Sequence, residues 1–171
     1  MRVTKTDSGQ FKIITGFDNT SRYLDELRIA ADAHRDALGF LPAGVFEEFA
    51  RRDHLYIIVE ERSDGRPYVG HLLFERRFPR AQVVQMFVLE RYRRFGLATK
   101  LVDALKASLT RDGFASIYAR VAEDLDEANA FWDRQHFYVQ RVEQGGATRN
   151  RQILVRCHEL ESPQLLPTSG I

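Results

Sequence analysis

The segment of the chain most able to do chemistry is RYRRFGLATKL, Arg91 to Leu101, which follows the apolar, strand-like run VVQMFVL. Its pattern R-x-x-G-x-A begins at Arg93, has Gly96 at its centre and puts the small Ala98 just inside an amphipathic helix. The first N–H groups of a helix lack intrahelical acceptors and lie at the positive end of its dipole. Gly96 lets an anion approach the backbone closely. The segment therefore predicts a turn that binds a pyrophosphate.

Hydrophobic patterns upstream predict the elements that lead to this turn. FKIITGF is typical of a short strand, and TSRYLDELRIAADAHRDALG predicts one helix that is capped by Thr20 or Ser21 and ends at Gly39. Pro42 is expected to open a second helix, AGVFEEFARR. HLYIIVEE and PYVGHLLFERR then predict a hairpin across SDGR, which is followed by the strand AQVVQMFVL.

The elements after the turn complete a mixed α/β pattern. A helix is predicted from Leu97 to Asp112, with Gly113 past its end. The strand ASIYARVA should lie parallel to VVQMFVL, because a crossover helix joins them. Asp124 and Glu127 predict a capping pair at the start of a further helix. FYVQRVEQ and RQILVRCHEL predict a closing hairpin over GGAT, which gives a mixed sheet with helices on both faces.

Composition restricts the class of protein. The chain has 171 residues, which suits one domain, and its 25 Lys and Arg residues balance 24 Asp and Glu residues. We therefore expect neither a nucleic acid nor a membrane as a partner. A single cysteine excludes an internal disulfide, and MRVTKTDSGQ lacks the apolar core of a secretory signal, so the expected location is the cytoplasm.

The phosphate turn resembles the coenzyme A signature of the GNAT superfamily of N-acetyltransferases, which commonly reads V-x-x-x-Y-R-G-x-G-x-G/A. In this chain Arg94 stands where a first glycine is common, and Phe95 stands where a basic residue often lies. The positions that match the signature are Val88, Tyr92, Arg93, Gly96 and Ala98. Nucleotide-binding alternatives of the Rossmann or P-loop type lack G-x-G-x-x-G and G-x-x-x-x-G-K-[ST] and rank lower.

A downstream segment, EANAFWDRQHF, resembles the A-x-x-F-Y-x-x-x-G-F motif of the same superfamily. Ala128, Phe131 and Phe137 match it, Trp132 replaces the usual tyrosine, and His136 replaces the usual glycine. The resemblance covers roughly residues 11 to 160. It implies a GNAT-like, mostly antiparallel sheet with a splayed parallel strand pair. The expected organisation is a single domain over residues 1–160, followed by a C-terminal tail at 161–171.

The resemblance implies acetyl-CoA as co-substrate and direct transfer of its acetyl group to a primary amine in a ternary complex. No metal is expected, since no H-E-x-x-H or paired C-x-x-C motif occurs. The coenzyme contacts that it implies are Phe87, Val88, Arg93, Arg94, Phe95, Gly96, Leu97, Ala98, Thr99, Asn129 and Trp132.

The candidate catalytic residues come from the resemblance and from polar residues on the predicted central strands. The thioester is expected near Met86 to Val88, where the backbone N–H of Val88 would stabilise the carbonyl oxygen. An ammonium acceptor must lose a proton, and His71 or a water oriented by Gln85 are candidates. Trp132 stands at the family's acid position but is a donor without useful acidity, and Tyr138 is a candidate substitute. Further candidates are Glu60 and Glu75 for the base, and Tyr118 for the acid.

The sequence does not distinguish between kinds of acceptor amine. The family's acceptor side corresponds to Ala33 to Phe49, with His34, Phe40 and Phe46, and to Gln144 to Asn150 with its glycine pair. These residues fit a small-molecule or a peptide amine, and a homodimer is left open. The alternative class is a coenzyme A-binding sensor or subunit without turnover, which the departures at Trp132 and Arg94 keep open.

A second basic cluster lies outside the phosphate turn. Arg76, Arg77 and Arg80 flank the turn that enters the strand AQVVQMFVL. A solvated hairpin is the favoured interpretation, and an acidic macromolecular partner is the alternative.

Overall fold

A computed structural model describes residues 10–145 and 150–161, and in this part of the chain seven strands form one sheet. The strands are β1 (Gln10–Ile14), β2 (Leu55–Glu61), β3 (Tyr68–Arg77), β4 (Arg80–Val88), β5 (Ser116–Ala122), β6 (Tyr138–Gly145) and β7 (Arg151–Glu159). The α-helices are α1 (Phe17–Thr20), α2 (Leu24–Ala33), α3 (Arg35–Leu38), α4 (Ala43–Arg51), α5 (Leu97–Arg111) and α6 (Asp126–Arg134). Short 3-10 turns occur at Ser21–Tyr23 and Glu90–Tyr92.

The sheet is mixed and mostly antiparallel, which confirms the predicted fold class. Its strand order is β1-β2-β3-β4-β5-β7-β6. β1 pairs with β2, and β7 pairs with both β5 and β6, all antiparallel, whereas β4 and β5 are parallel. The crossover through α5 explains the parallel pair, because a strand that returns after a helix runs in the same direction as the strand before it.

The chain divides into two compact units. The first contains the described residues up to Leu72 together with Met86–Ala98, and the second contains Leu73–Gln85 and the described residues from Thr99 onward. A single domain over residues 1–160 stays a prediction. The predicted tail lies, apart from Glu161, outside the described residues.

In the first unit, the core forms around β2 and β3. Residues 55–59 and 68–72 are buried without alternation, so both faces of these strands are covered. The buried residues of α2 are Leu27, Ala30 and Ala31, and those of α4 are Phe46, Phe49 and Ala50. α4 begins directly after Pro42, as predicted.

The single helix predicted over residues 20 to 38 is wrong, because the backbone leaves helical geometry twice. Tyr23 has φ −105° and ψ 0°, and His34 has φ −123° and ψ 32°, so the segment consists of short helical pieces. The helical region starts earlier, at Phe17, and the hydroxyl of Thr20 donates to the Gly16 carbonyl at 3.0 Å instead of capping. The predicted end at Gly39 is confirmed by its φ of 78°.

In the second unit, α5 supplies the apolar helix face, with Leu101, Leu105 and Leu109 fully or almost fully buried. Gly113 follows the helix with φ 78°, as predicted. The predicted capping pair of Asp124 and Glu127 is wrong. α6 begins at Asp126, and the carboxylate of Asp124 instead accepts a hydrogen bond from Arg151 at 2.8 Å.

A polar network fixes the 3-10 turn Glu90–Tyr92 to β2. The hydroxyl of the buried Tyr92 donates to the Glu60 carboxylate at 2.7 Å and accepts from Arg62 at 2.8 Å. Arg62 also forms an ion pair with Glu60 at 2.6 Å. The hydrogen bond from Tyr92, followed by that from Arg62, lowers the pKa of Glu60.

β3 and β4 approach each other closely at Gly70. A Cβ at this position would lie 2.4 Å from the carbonyl oxygen of Phe87 and 3.1 Å from the Cα of Val88. Both are backbone atoms, so a side chain there would have to displace a strand. Gly70 is therefore required by packing in the first unit.

We predict that Gly70→Ala lowers the free energy of unfolding by roughly 1–3 kcal/mol, the usual cost of overpacking. Gly44→Ala is the matched control, since a Cβ at Gly44 in α4 meets nothing within 4 Å and alanine favours a helix by roughly 0.5–1 kcal/mol. Urea unfolding followed by circular dichroism measures both changes. Equal stability of Gly70→Ala and the wild type would contradict the packing argument.

A second prediction concerns the pH dependence of stability. Because the pKa of Glu60 is lower in the folded than in the unfolded chain, its network stabilises the fold above the unfolded value of 4.5 and loses this effect as the pH falls through the lowered pKa. Glu60→Gln should therefore be less stable than the wild type near neutral pH, and the difference should shrink below about pH 4.

Unfolding in urea at a series of pH values tests this difference. Glu47→Gln is the control, since Glu47 forms an exposed helical ion pair with Arg51 that contributes little to stability. A stability difference for Glu60→Gln that stays constant down to the acid limit of folding would refute the role of the network.

Candidate functional site

The predicted phosphate turn is a compact loop between β4 and α5. Arg93 is extended, with φ −66° and ψ 153°, and then Arg94 and Gly96 both have positive φ, at 78° and 70°. α5 starts directly afterwards at Leu97 and has no acidic residue in its first turn. Two left-handed residues on either side of Phe95 bend the chain sharply into the helix.

The backbone N–H groups of this turn are open to a ligand. In the described part of the chain we find no carbonyl that accepts from the N–H groups of Phe95, Gly96, Leu97 or Ala98. A Cβ placed on Gly96 would meet no atom within 4 Å, so the space beside this residue is also open. Unpaired donors at a helix N-terminus are suited to a phosphate. The turn therefore fits the diphosphate of coenzyme A.

Arg93 contacts the end of β4 within the protein. Its Nε donates to the carbonyl oxygen of Val88 at 3.1 Å, and its guanidinium lies 5.8 Å from the centre of the Phe87 ring. Arg93 thus ties the turn to the end of β4. Its role at the coenzyme phosphates stays a prediction.

The two departures from the family signature lie on the outside of the turn. Arg94 is exposed, and its positive φ is uncommon for a residue with a side chain. Phe95 is 61% exposed and contacts Phe11, at 5.8 Å between ring centres. The turn keeps its shape although glycine is absent at position 94, and the coenzyme contacts of both residues stay predictions.

The end of β4 contacts two imidazole rings of the first unit, the exposed His34 and the buried His71. Phe87 and Val88 are buried, and the rings of His34 and His71 lie 4.6 and 6.3 Å from the Phe87 ring. His71 is fully buried, and its Nδ1 lies 2.6 Å from the hydroxyl of Tyr68. Burial raises the pKa of Tyr68 far above its usual value, so this hydroxyl stays protonated.

The candidate bases differ in their surroundings. The lowered pKa of Glu60 and its ion pair with Arg62 make this carboxylate a poor base. Glu75 forms an ion pair with Arg77 at 2.8 Å. His71 and the buried Gln85 keep their predicted roles as proposals.

The parallel pair opens within the second unit, which confirms the predicted splayed strands. The parallel register runs from Arg80↔Ser116 to Val83↔Ala119 and is not continued by Val84 or Gln85 in the described structure. β5 itself continues along β7 as far as Ala122↔Ile153. The strands therefore separate after Val83, where the resemblance expects the pantetheine arm.

Trp132 and Tyr138, the two predicted acid positions of the second unit, have opposite surroundings. Trp132 is buried, with its ring 5.1 Å from Phe131 and 4.7 Å from Phe137. Tyr138 is 48% exposed, and its hydroxyl donates to Glu159 at 3.3 Å. The pKa of Tyr138 is raised to about 12, mainly by a hydrogen bond between its hydroxyl and Cys157. Neither the buried indole of Trp132 nor the hydroxyl of Tyr138 is therefore suited to donate a proton near neutral pH.

Asn129 and Thr99 already have protein partners. The Asn129 amide donates to the carbonyls of Ala122 at 2.9 Å and Leu125 at 3.0 Å, while its oxygen accepts from Arg156 at 3.1 Å. The hydroxyl of Thr99 accepts from Gln135 at 3.0 Å. Their coenzyme contacts stay predictions, and a backbone contact of Thr99 is compatible with this arrangement.

The sequence missed three groups that shape these regions. Arg62 fixes the phosphate turn through Tyr92, but nothing in its local sequence distinguishes it. Arg156 is almost fully buried and donates to Asp133 at 2.5 Å and to the Phe137 carbonyl at 2.9 Å. Lys106 donates to the Gln135 carbonyl at 2.8 Å. A basic residue within an otherwise apolar strand, ILVRC, was the only signal for Arg156.

Within the residues that the structure describes, we find no group of three or more His, Cys, Asp or Glu side chains that could hold a metal ion. Among the described helices, none combines the length and the apolar character that a membrane crossing requires.

Known structures resemble this chain in fold. Ard1 from Thermoplasma volcanium is 17% identical, with a TM-score of 0.73 over 89% of this chain and 99% of its own. The acetyltransferase yncA from Salmonella typhimurium, solved with acetyl-CoA, is 16% identical, with a TM-score of 0.71 over 93% and 99%. NAA60 from Arabidopsis thaliana, in complex with a bisubstrate analogue, is 13% identical, with a TM-score of 0.70 over 90% and 100%.

No curated protein sequence matches the chain significantly. The family model described as Acetyltransferase (GNAT) family, however, matches residues 22–137, which include the phosphate turn, α5 and all of α6. The chain therefore belongs to the acetyltransferase (GNAT) family of enzymes.

Proposed function

We propose that the protein is an N-acetyltransferase that transfers an acetyl group from acetyl-CoA to a primary amine. The observation that carries this proposal is the open turn at the start of α5, whose backbone N–H groups have no acceptor in the described structure. Membership of the acetyltransferase family and the acetyl-CoA in the yncA structure support the choice of co-substrate.

The turn would hold the diphosphate by its backbone. The N–H groups of Gly96, Leu97 and Ala98 are the proposed donors, because they combine free hydrogen-bonding capacity with the positive end of the α5 dipole. Arg94 is exposed beside them and can add a charged contact. The absence of acidic side chains from the first helical turn avoids repulsion of the phosphates.

Bound acetyl-CoA supplies an activated acyl group as a thioester. The backbone N–H of Val88 is the proposed donor to the carbonyl oxygen, where a preorganised hydrogen bond can contribute about 3 kcal/mol to the transition state. The acceptor amine would attack this carbonyl directly, so positioning of both substrates accounts for much of the rate. No covalent acyl-enzyme is required.

The mechanism requires two proton transfers, one from the acceptor ammonium and one to the departing thiolate. We propose that the acceptor is deprotonated through His71 or through a water held by Gln85, both buried polar residues of the central strands. For the departing thiolate, the indole of Trp132 offers a hydrogen bond but no proton. The raised pKa of Tyr138 disfavours it as an acid, so solvent is the favoured proton source.

The acceptor class is a small-molecule or peptide amine. The Gag peptide bound in the NatC complex, whose structure resembles this chain with a TM-score of 0.76, supports an acceptor of the peptide kind. We keep the cytoplasm as the proposed location, since the single cysteine, buried at Cys157, requires no oxidising compartment.

The rival function is coenzyme A binding without turnover, favoured by the burial of Trp132 in an aromatic cluster. Release of free thiol from acetyl-CoA, measured against a panel of small amines and peptide N-termini, separates the two functions. Amine-dependent release supports the enzyme. Binding of coenzyme A by calorimetry without release for any acceptor would support the rival, and absence of binding would reject both.

The phosphate turn gives the third prediction. Gly96→Leu should weaken coenzyme A binding by at least about tenfold, because the side chain would fill the space in front of the turn and the positive φ would be strained. Gly113→Leu is a matched control with positive φ and equally free space, at the far end of α5. It should lose similar stability and keep its affinity. Equal affinities in calorimetry would reject the phosphate-turn assignment.

The fourth prediction tests whether position 132 faces the departing thiol. Trp132→Tyr should preserve or raise kcat, because it restores a hydroxyl at the family's acid position. Trp132→Phe, which has the same ring without the hydroxyl, is the control and should be slower, with a similar KM for acetyl-CoA. If both variants have the same kcat, the hydroxyl has no role and the placement is wrong.

A further inference from the structure

A groove lies on the surface of the second unit. It has a volume of about 340 Å³ and is bordered by strands β3, β4, β5, β6 and β7. Its basic lining residues are Arg77, Arg80, Arg120 and Arg141. Glu75 is the acidic residue among the lining residues, so the groove is positively charged although the whole chain is nearly neutral. We call this surface the arginine groove.

The strand register brings the arginines together. Arg120 of β5 and Arg141 of β6 both pair with Val155 of the intervening β7, so the two side chains flank Val155 on one face of the sheet. Val155 is 2% exposed and forms an apolar floor between them. Arg120 and Arg141 themselves stay 43% and 54% exposed. Their guanidinium groups are therefore accessible from solvent.

Internal carboxylates neutralise only part of this charge. Arg120 and Arg141 share the single carboxylate of Glu143, one on each oxygen, which fixes their direction. Arg80 lies 5.9 Å from the centre of the Tyr118 ring, and Arg77 pairs with Glu75 while remaining 83% exposed. By contrast, Arg76 of the same sequence cluster forms an ion pair with Asp112 and does not line the groove.

We propose that the arginine groove binds an extended acidic peptide segment of a partner protein. Guanidinium groups oriented by Glu143 and Tyr118 can each donate to a peptide carboxylate in a bidentate way. Gln82 and Tyr118 add neutral hydrogen-bonding groups beside them. The volume accommodates a few residues, which fits a short linear segment better than a folded domain.

The charge pattern favours a peptide over a nucleic acid. Glu75 and Glu143 lie among the four arginines, so a continuous row of phosphates would meet repulsive carboxylates. Acidic side chains of an extended peptide alternate in direction, and only every second residue needs to face the groove. The proposal does not depend on the acetyltransferase function, because its four arginines belong to neither the coenzyme contacts nor the candidate catalytic residues.

Fluorescence anisotropy with a labelled peptide of alternating Glu and Ser tests the proposal, with the same peptide carrying Gln in place of Glu as reference. The Glu peptide should bind, the Gln peptide should bind at least about tenfold more weakly, and added salt should weaken binding. Arg80→Gln and Arg141→Gln should each reduce affinity severalfold to about tenfold, the usual loss of a charge-assisted hydrogen bond.

Two further variants keep the test informative if an arginine variant unfolds. Glu75→Gln removes the negative charge from the lining and should tighten binding of the Glu peptide. Arg28→Gln, in an exposed helical pair with Asp25 in the first unit, is the matched control and should leave affinity unchanged. Thermal unfolding confirms that each variant is folded.

Several results would overturn the proposal. These are equal affinity for the Glu and Gln peptides, loss of binding in Arg28→Gln as large as in Arg141→Gln, or tighter binding of a short single-stranded DNA of equal charge. A change from dimer to monomer in Arg141→Gln by sedimentation, without an effect on peptide binding, would assign the groove to a second copy of this chain instead.

Discussion

The proposed function depends on unpaired backbone N–H groups at the start of α5. These donors exist because a helix cannot satisfy its first amides internally, and they are accessible because Arg94 and Gly96 bend the chain through positive φ values just before the helix. The turn is not held by its ligand. Tyr92 is fixed to β2 by Glu60 and Arg62, and Arg93 is fixed to Val88, so the donors keep their direction in the free protein. Such preorganisation lowers the entropic cost of binding.

The position of Arg94 shows how the chain departs from its family without losing the turn. A side chain at φ 78° is less favourable than glycine, typically by about 1–2 kcal/mol. The surrounding contacts can offset this cost, since Phe95 packs on Phe11, whose ring also contacts the buried Tyr92. In return, the exposed guanidinium adds a positive charge beside the anion site, which a glycine cannot provide.

Local patterns in the sequence predicted most of the fold. The strands, the helix α5 and the stops at Gly39 and Gly113 follow from periodicity and from glycine's tolerance of positive φ, and the structure confirms them. The break at His34 could not be predicted, because its neighbours on both sides are good helix formers and the break depends on tertiary packing. The predicted cap at Asp124 was wrong for a similar reason, because its carboxylate accepts a hydrogen bond from Arg151, which is distant in sequence.

The candidate site was predictable from the sequence only where backbone N–H groups, and not side chains, are the proposed binding groups. The phosphate turn could be located from one glycine and its spacing, whereas the roles of Asn129 and Thr99 depend on partners from other elements that the sequence does not reveal. The arginine groove was the least predictable of these features. Arg77 and Arg80 are neighbours in sequence, but Arg120 and Arg141 join them only through the β5-β7-β6 order, in which β7 lies between two strands that precede it.

This order also explains how a chain with a net charge of +1 can hold a strongly basic surface. Antiparallel pairing across β7 places residues from two strands on one face at intervals of roughly 5 Å, so guanidinium groups far apart in sequence add their potentials at one place. Some of the acidic residues that balance the charge, such as Asp25 and Glu47, lie in exposed helical pairs and not in the groove. Overall composition therefore argued against a whole-molecule affinity for anions, but it could not exclude a local one.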